Sequence, residues 1–296
     1  MQGVDSVGER LRLAAAAVAN YLSRYVFAPR YRPAERLRLV STDGTRLSGA
    51  RLEGPPSAPA TVVLVHGFVN SSRTPAVHAF ARRLAQEVHV LVPDLRGHGA
   101  SGGRCTMGVE EPGDVATVVA AATPGLPVVT VGTSLGGAAV LLHAGRHHGV
   151  AGTVAISAPA WSGSFDREGW DRLRRFIGSA FGRMVLGLLL RTRVVSNCEP
   201  VPDSGEVVGS ISPAFTIIVH NPDDQYFGPE HAEQLYEWAR EPKDLWWCPG
   251  DGHGTDMLTP GLAQRLLGEI GARLQPGAGL GSSADEPPAD PVAVSD

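Results

Sequence analysis

A serine in a glycine-rich turn is the side chain of this sequence best placed for nucleophilic chemistry. The segment Gly132-Thr-Ser-Leu-Gly136 follows an apolar run, 128–131, and precedes a helix-like stretch rich in Ala and Leu. A G-x-S-x-G turn between a strand and a helix exposes the serine hydroxyl, and its glycines let the backbones approach closely. We therefore predict Ser134 to be a nucleophile, against the alternative of an ordinary Gly-Ser turn.

A serine hydroxyl needs a base to take its proton, and the base needs an acid to orient it. The candidate base is His253, in a glycine-rich loop after the last predicted strand. The candidate acids are Asp223 and Asp224, which follow the buried run 217–219. Each could be a solvated loop residue if taken singly. Because serine, acid and histidine each follow a predicted strand in this order, their joint arrangement favours a triad.

Acyl transfer also needs two fixed N–H donors for the oxyanion that develops. We expect one from Leu135, directly after the nucleophile, and one from Phe68, in the turn after an earlier strand. His66, at the end of that strand, suits a structural hydrogen bond. His143 and His147 have i, i+4 spacing, but no carboxylate completes a metal site beside them. We therefore predict neither a metal nor an organic cofactor.

Strand-like and helix-like segments alternate from residue 36 to residue 275, which predicts an α/β fold. The predicted strands are 36–41, 46–52, 60–65, 88–92, 127–131, 150–156, 215–219 and 244–248. The predicted helices among them are 75–86, 109–122, 134–147, 229–240 and 260–274. We expect a mostly parallel eight-stranded sheet flanked by helices, with the candidate residues at the carboxyl ends of its strands.

Three regions lie outside this alternation. Residues 158–212 hold two helix candidates, 167–180 and 182–190, and predict a small helical cap above the sheet. Residues 1–35 predict an N-terminal helical extension, which packs on the domain or makes a peripheral contact with a membrane. Its apolar core is too short to span a bilayer. Residues 276–296, rich in Pro, Gly, Ala, Ser and Asp, predict a disordered tail.

The composition argues against several classes of partner. The 296 residues carry a net charge of -4 and no basic stripe with interleaved aromatics, so we expect no nucleic-acid partner. The 3 cysteines lack metal-ligand spacing, and their odd number argues against a disulfide framework. We expect a cytoplasmic protein, membrane-associated if its N-terminal helix rests on a bilayer. The sequence does not define the oligomeric state.

With these motifs the sequence resembles the α/β-hydrolase superfamily, and more specifically its esterase, lipase and serine-aminopeptidase-like branch. The matching segments are His66-Gly-Phe68, Asp94-Leu-Arg-Gly-His-Gly-Ala-Ser101, Gly132-Thr-Ser-Leu-Gly136, Asp223-Asp224 and Gly252-His253. The acid of the family usually begins a D-x-x-V-like pattern, which Asp224-Gln-Tyr-Phe227 fits better than a frame starting at Asp223. The segment His220-Asn-Pro222 departs from the His-Gly that relatives often have.

The resemblance implies hydrolysis of a carboxylic ester, or a related acyl bond, through an acyl-enzyme. It assigns attack to Ser134, proton transfer to His253 and orientation of the histidine to Asp224, with Phe68 and Leu135 holding the oxyanion. Thioesterase, aminopeptidase and lysophospholipase activities stay open, because the cap that would select the small-molecule acyl substrate carries no diagnostic motif. A non-catalytic binding protein on this scaffold is a further alternative, which the complete triad disfavours.

Overall fold

The computed structural model describes residues 35–161, 168–196, 202–250 and 252–274. The predicted N-terminal extension, apart from its last residue, and the predicted tail lie outside these ranges. Eight strands form one sheet in the order β1-β2-β4-β3-β5-β6-β7-β8. They are β1 Glu35–Val40, β2 Arg46–Leu52, β3 Thr61–Val65, β4 His89–Asp94, β5 Val128–Thr133, β6 Gly152–Ile156, β7 Phe215–His220 and β8 Lys243–Trp247. The predicted eight-stranded sheet is confirmed.

The sheet is parallel from β4 through β8 and antiparallel at one edge. Strand β2 pairs antiparallel with both β1 and β4. All pairings among the other six strands, from β4 to β8 across the sheet, are parallel. Every residue of β3 and β5 is buried, as expected for strands covered on both faces. The parallel strands therefore end at the same edge of the sheet, and their carboxyl-terminal loops meet there.

Helices cover both faces of this sheet. They are α1 Pro75–Leu84, α2 Glu111–Val119, α3 Leu135–His147, α4 Glu168–Gly178, α5 Ala180–Leu189, α6 Gly205–Val208, α7 Pro229–Trp238 and α8 Pro260–Leu274, with a 3₁₀ turn at Gly254–Met257. Alternate residues of β3 face opposite layers. Val62 and Leu64 pack in the cluster that contains α1 and α8, and Val63 and Val65 in the one that contains α2 and α3.

The predicted insertion divides into two parts in space. Helices α4 and α5 lie against the sheet layer through Ile177, Leu186 and Leu190, which share an apolar cluster with Leu135. Helix α6 instead packs against α3, so closely that a Cβ atom on Gly145 would come within 2.4 Å of a backbone oxygen of α6. Of the helices in the insertion, α4 and α5 are thus the ones that share a cluster with the candidate site. No helix in the described part of the chain is long and apolar enough to cross a membrane.

Candidate active site

The predicted nucleophile lies in a strained turn between β5 and α3. Ser134 has φ 52° and ψ −116°, a left-handed conformation that a residue with a side chain rarely adopts. The neighbouring glycines are required by contact: a Cβ atom at Gly132 would lie 2.2 Å from the oxygen of Gly136, and one at Gly136 would lie 2.4 Å from the oxygen of Val65. The Ser134 N–H donates to Ile156 O at 2.8 Å, which ties the turn to β6.

The three residues predicted to form the triad are brought together in a hydrogen-bonded chain. The Oγ atom of Ser134 lies 2.9 Å from Nε2 of His253. The other ring nitrogen, Nδ1, lies 2.6 Å from Oδ2 of Asp224. The serine follows β5, the acid follows β7 and the histidine follows β8, so the carboxyl ends of parallel strands supply all three. In this geometry the imidazole can accept the serine proton while the carboxylate orients it.

Asp224 is buried and firmly held. Its Oδ1 atom accepts the N–H groups of Tyr226 at 2.8 Å and Phe227 at 3.3 Å, which leaves Oδ2 for the histidine. Burial alone would raise the pKa of Asp224, but the hydrogen bond and charge of His253 and the N–H of Tyr226 outweigh it, so the pKa lies below its ordinary value. The neighbouring Asp223 has an exposed side chain. The structure therefore places Asp224, not Asp223, beside the imidazole.

Asn221, where the sequence departs from the resembled pattern, connects the loops of the acid and the histidine. Its Nδ2 donates to Gly252 O at 3.0 Å, next to His253 in the chain. Its Oδ1 accepts the N–H of Gly250 at 3.3 Å and the N–H of Asp223 at 3.1 Å. One buried amide thus joins both loops. Sequence reasoning missed this role, because no pattern shows which two loops a side chain will bridge.

Ser157 supports the histidine loop from the other side and was also missed. Its Oγ accepts the N–H of Gly254 at 3.1 Å and donates to Sδ of Met257 at 3.0 Å. Its backbone has φ 50°, and its own N–H donates to Val219 O at 2.9 Å. A small polar residue directly after β6 is the only signal that the sequence offers for this contact. The residues on either side of His253 are therefore both fixed by hydrogen bonds.

The two predicted oxyanion donors belong to segments that meet at Ser134. Leu135 is the first residue of α3, and helix N-termini present N–H groups without a partner inside the helix. Phe68 follows Gly67, where a Cβ atom would lie 3.3 Å from the Cβ of Ser134, so this turn approaches the serine closely. Asn70 fixes the turn by donating from Nδ2 to Phe68 O at 3.1 Å.

His66 occupies a structural position, as the sequence reasoning favoured. Its Nδ1 lies 2.8 Å from Gly67 O, and its Nε2 lies 3.1 Å from the N of Leu95, a donor. These partners define a ring with its proton on Nδ1. Burial lowers the pKa of His66 and keeps the ring neutral. The residue therefore links the turn that bears Phe68 to the loop after β4.

Aromatic rings surround the imidazole and connect it to the cap. The ring centroids of Tyr226 and Phe227 lie 4.6 Å and 5.5 Å from that of His253. Trp170 of α4 lies 5.7 Å from Phe227, centroid to centroid. This wall lowers the polarity around the histidine, which strengthens its hydrogen bonds to serine and acid. It also makes α4 a neighbour of the site.

The pair of histidines on α3 and one of the cysteines have different surroundings. The rings of His143 and His147 lie 5.5 Å apart, and burial lowers the pKa of His143 to about 4. Among the described residues, no three His, Cys, Asp or Glu side chains cluster closely enough to hold a metal ion. Cys105 is buried, and its N–H donates to Arg193 O at 2.7 Å beside the end of the cap.

Comparison with known proteins assigns the family. Residues 62–293 match the model of the alpha/beta hydrolase family. The protein YfhR of Escherichia coli O157:H7, itself uncharacterized, is 26% identical over 254 residues, which are 79% of this chain and 78% of YfhR. YfhR of Salmonella typhi is 27% identical over 249 residues, 79% of each chain. This chain belongs to the alpha/beta hydrolase family.

Solved structures support the same fold. The Pyrococcus furiosus esterase Pf2001 superposes with a TM-score of 0.64 at 18% identity, over 81% of this chain and 93% of the esterase. A thermophilic esterase from Thermogutta terrifontis gives a TM-score of 0.62 at 21% identity, over 82% of this chain and 100% of the esterase. At these identities the likeness establishes the α/β-hydrolase fold, and the substrate has to be argued from the site.

Proposed function

We propose that this hydrolase cleaves a carboxylic ester through an acyl-enzyme formed on Ser134. The observation that carries the proposal is the continuous hydrogen-bonded chain from Ser134 Oγ through His253 to Asp224, with distances of 2.9 Å and 2.6 Å. Each distance lies within the range over which a proton transfers along a hydrogen bond.

In the first half of the reaction, Ser134 Oγ attacks the carbonyl carbon while its proton passes to Nε2 of His253. Asp224 stabilises the imidazolium that results. The N–H groups of Phe68 and Leu135 donate hydrogen bonds to the carbonyl oxygen and stabilise the negative charge that develops on it. The tetrahedral intermediate then collapses, and His253 returns the proton to the leaving alcohol.

In the second half, a water molecule attacks the acyl-serine while His253 accepts its proton. Collapse of the second tetrahedral intermediate breaks the acyl bond to Ser134 Oγ and releases a carboxylic acid. The serine recovers its proton from His253, so the enzyme is unchanged at the end of the cycle. Besides the substrate and this water molecule, the steps use side chains and backbone groups of this chain.

The apolar surroundings of the histidine favour an acyl group with hydrocarbon character. Phe227 and the cap residue Trp170 are in contact beside the imidazole, and Phe68 packs on the apolar cluster that contains Leu135. An uncharged acyl chain loses little hydration free energy on entering such surroundings, whereas a charged aminoacyl group loses much more. Esters of medium-length fatty acids therefore fit better than aminoacyl amides.

A panel of p-nitrophenyl esters of rising chain length, assayed beside acyl-thioesters and aminoacyl amides, tests the proposal. We expect turnover of esters by the wild type, with a maximum above the shortest chains, and none by Ser134→Ala. Hydrolysis of the amides alone would contradict the proposed esterase activity and assign an aminopeptidase activity to the same triad. Ester turnover by Ser134→Ala equal to that of the wild type would contradict the assignment of the nucleophile.

A further inference from the structure

The outer face of α5 carries an exposed apolar stripe. The side chains of Phe181, Met184 and Leu188 are 66%, 52% and 74% exposed. Their i, i+3, i+7 spacing places them on one face of the helix, opposite the buried Leu186 and Leu190. Single exposed apolar residues are ordinary on a protein surface, but a continuous stripe marks an interaction site.

The stripe is not needed to hold the cap in place. Ile177, Leu186 and Leu190 bury the inner faces of α4 and α5 against the cluster that contains Leu135. Ser179 caps the N-terminus of α5, because its Oγ accepts the N–H of Gly182 at 2.9 Å. These buried contacts and the N-cap hydrogen bond hold α4 and α5 in place without the stripe, so the outer apolar face is available to a partner.

The same segment is strongly basic. Residues 168–196 contain six arginines and two acidic residues, Glu168 and Asp171, in a chain whose net charge is -4. The arginines of this segment are Arg172, Arg174, Arg175, Arg183, Arg191 and Arg193. Arg172 pairs with Glu168 at 3.5 Å on the surface. Within the described ranges, the exposed Arg174, Arg175 and Arg191 form no ion pair.

We propose that the outer face of α4 and α5 docks on an anionic lipid bilayer. An apolar stripe flanked by arginines suits the boundary between headgroups and acyl chains, where the stripe inserts and the guanidinium groups bind phosphates. A symmetric dimer through this face would oppose two sets of these arginines, since both copies present the same patch. The charge therefore favours an anionic surface over a second copy of the chain.

Docking in this way would bring the candidate site close to the lipid. Trp170 on α4 contacts Phe227, which contacts His253, so the cap lies between the proposed bilayer surface and the imidazole. The inference extends beyond the proposed esterase activity and does not depend on it. Vesicle binding is measured without turnover, so each proposal can fail while the other stands.

Co-sedimentation of the full chain with lipid vesicles tests the docking surface. We expect binding to vesicles of equal parts phosphatidylcholine and phosphatidylglycerol, and little binding to phosphatidylcholine alone. The variant Phe181→Ser/Leu188→Ser should lower the affinity about tenfold or more, since it removes the groups that insert. The variant Arg174→Glu/Arg175→Glu should abolish the preference for phosphatidylglycerol.

Matched controls lie on the exposed edge strand β1, outside the cap. Val40→Ser removes an exposed apolar side chain, as the serine substitutions in the cap do, and Arg38→Glu reverses the charge of an exposed arginine. Both variants should bind vesicles as the wild type does. Failure of the wild type to bind the anionic vesicles overturns the proposal. So does wild-type affinity in both cap variants, which would assign binding to another segment, such as residues 1–35. A wild-type dimer that Phe181→Ser/Leu188→Ser dissociates, with vesicle binding unchanged, also overturns it.

Discussion

The side-chain amide of Asn221 donates to the carbonyl oxygen of Gly252 at 3.0 Å, which ties the loop of the acid to the loop of the histidine. Its Oδ1 atom accepts N–H groups from both loops as well. The 2.6 Å hydrogen bond between Asp224 and His253 therefore depends on a residue outside the triad for its geometry. Small displacements at a catalytic site have large effects on rate.

Asn221→Ala should lower kcat about 10- to 100-fold and leave KM nearly unchanged, because the imidazole loses its support while the acyl pocket stays intact. Steady-state kinetics on the best p-nitrophenyl ester measures both values. Urea denaturation shows whether the variant is folded under the conditions of the assay. A folded Asn221→Ala variant with wild-type kcat would show that the loops hold their positions without this amide.

Asp224→Asn should lower kcat about 10⁴-fold, because an amide stabilises the wrong tautomer of the histidine and cannot balance the imidazolium charge. Asp223→Asn is the matched control, since it makes the same change one residue earlier on an exposed side chain. It should keep wild-type kcat. The reverse pattern in the same kinetic assay would assign the acid to Asp223 and reject the observed hydrogen bond as the functional one.

The strained conformation of Ser134 predicts an order of stability among its variants. Ala at this position keeps the strain of φ 52°, whereas Gly adopts positive φ at little cost. We expect Ser134→Gly to be about 1 kcal/mol more stable than Ser134→Ala in urea unfolding, with both variants inactive. Equal stability, or greater stability of the alanine variant, would show that the turn relaxes when the hydroxyl is removed.

The buried His143 predicts a dependence of stability on pH. Its pKa is lowered by burial from 6.5 to about 4, so below pH 6.5 the unfolded chain takes up a proton before the native state does. Stability should therefore fall as the pH decreases from 6.5 to 4, by at most about 1.4 kcal/mol per pH unit from this residue.

The variant His143→Leu isolates that contribution. Both ring nitrogens of His143 lack a hydrogen-bond partner among the described residues, so leucine removes a buried polar group without breaking a bond. The free energy of unfolding, measured by urea titration at several pH values, should fall less steeply between pH 6.5 and 4 than in the wild type. His148→Asn, an exposed position directly after the same helix, should keep the wild-type slope. A slope unchanged by His143→Leu would contradict the prediction.

The fold could be predicted from the sequence because its strands and turns carry local signals. A continuous apolar run indicated the buried strand β3, and the Gly132–Gly136 motif indicated a turn between a strand and a helix. The last helix, α8, has the predicted bounds of 260–274. The strand order was harder, since the antiparallel pairing of β2 with β4 depends on contacts between segments far apart in the chain. Local patterns do not encode such pairing directly.

The residues of the candidate site likewise fall into those that the sequence could predict and those that it could not. Ser134, Asp224 and His253 could be proposed from short motifs and their order, and the structure brings these three side chains together. Asn221 and Ser157 could not, because their importance comes from which loops their side chains join in space. An amide after a strand has many uses, and its partners are known only once the loops are folded.

Labelling with a fluorophosphonate tests the central claim most directly, because the reagent forms a covalent bond only with an activated serine. We predict that the native wild type gains one adduct, which peptide mass spectrometry locates on Ser134. His253→Ala and heat-unfolded wild type should label at least about 10³-fold more slowly, since the base is absent or displaced. A native wild type that resists the reagent, or an adduct on another serine, would contradict the account.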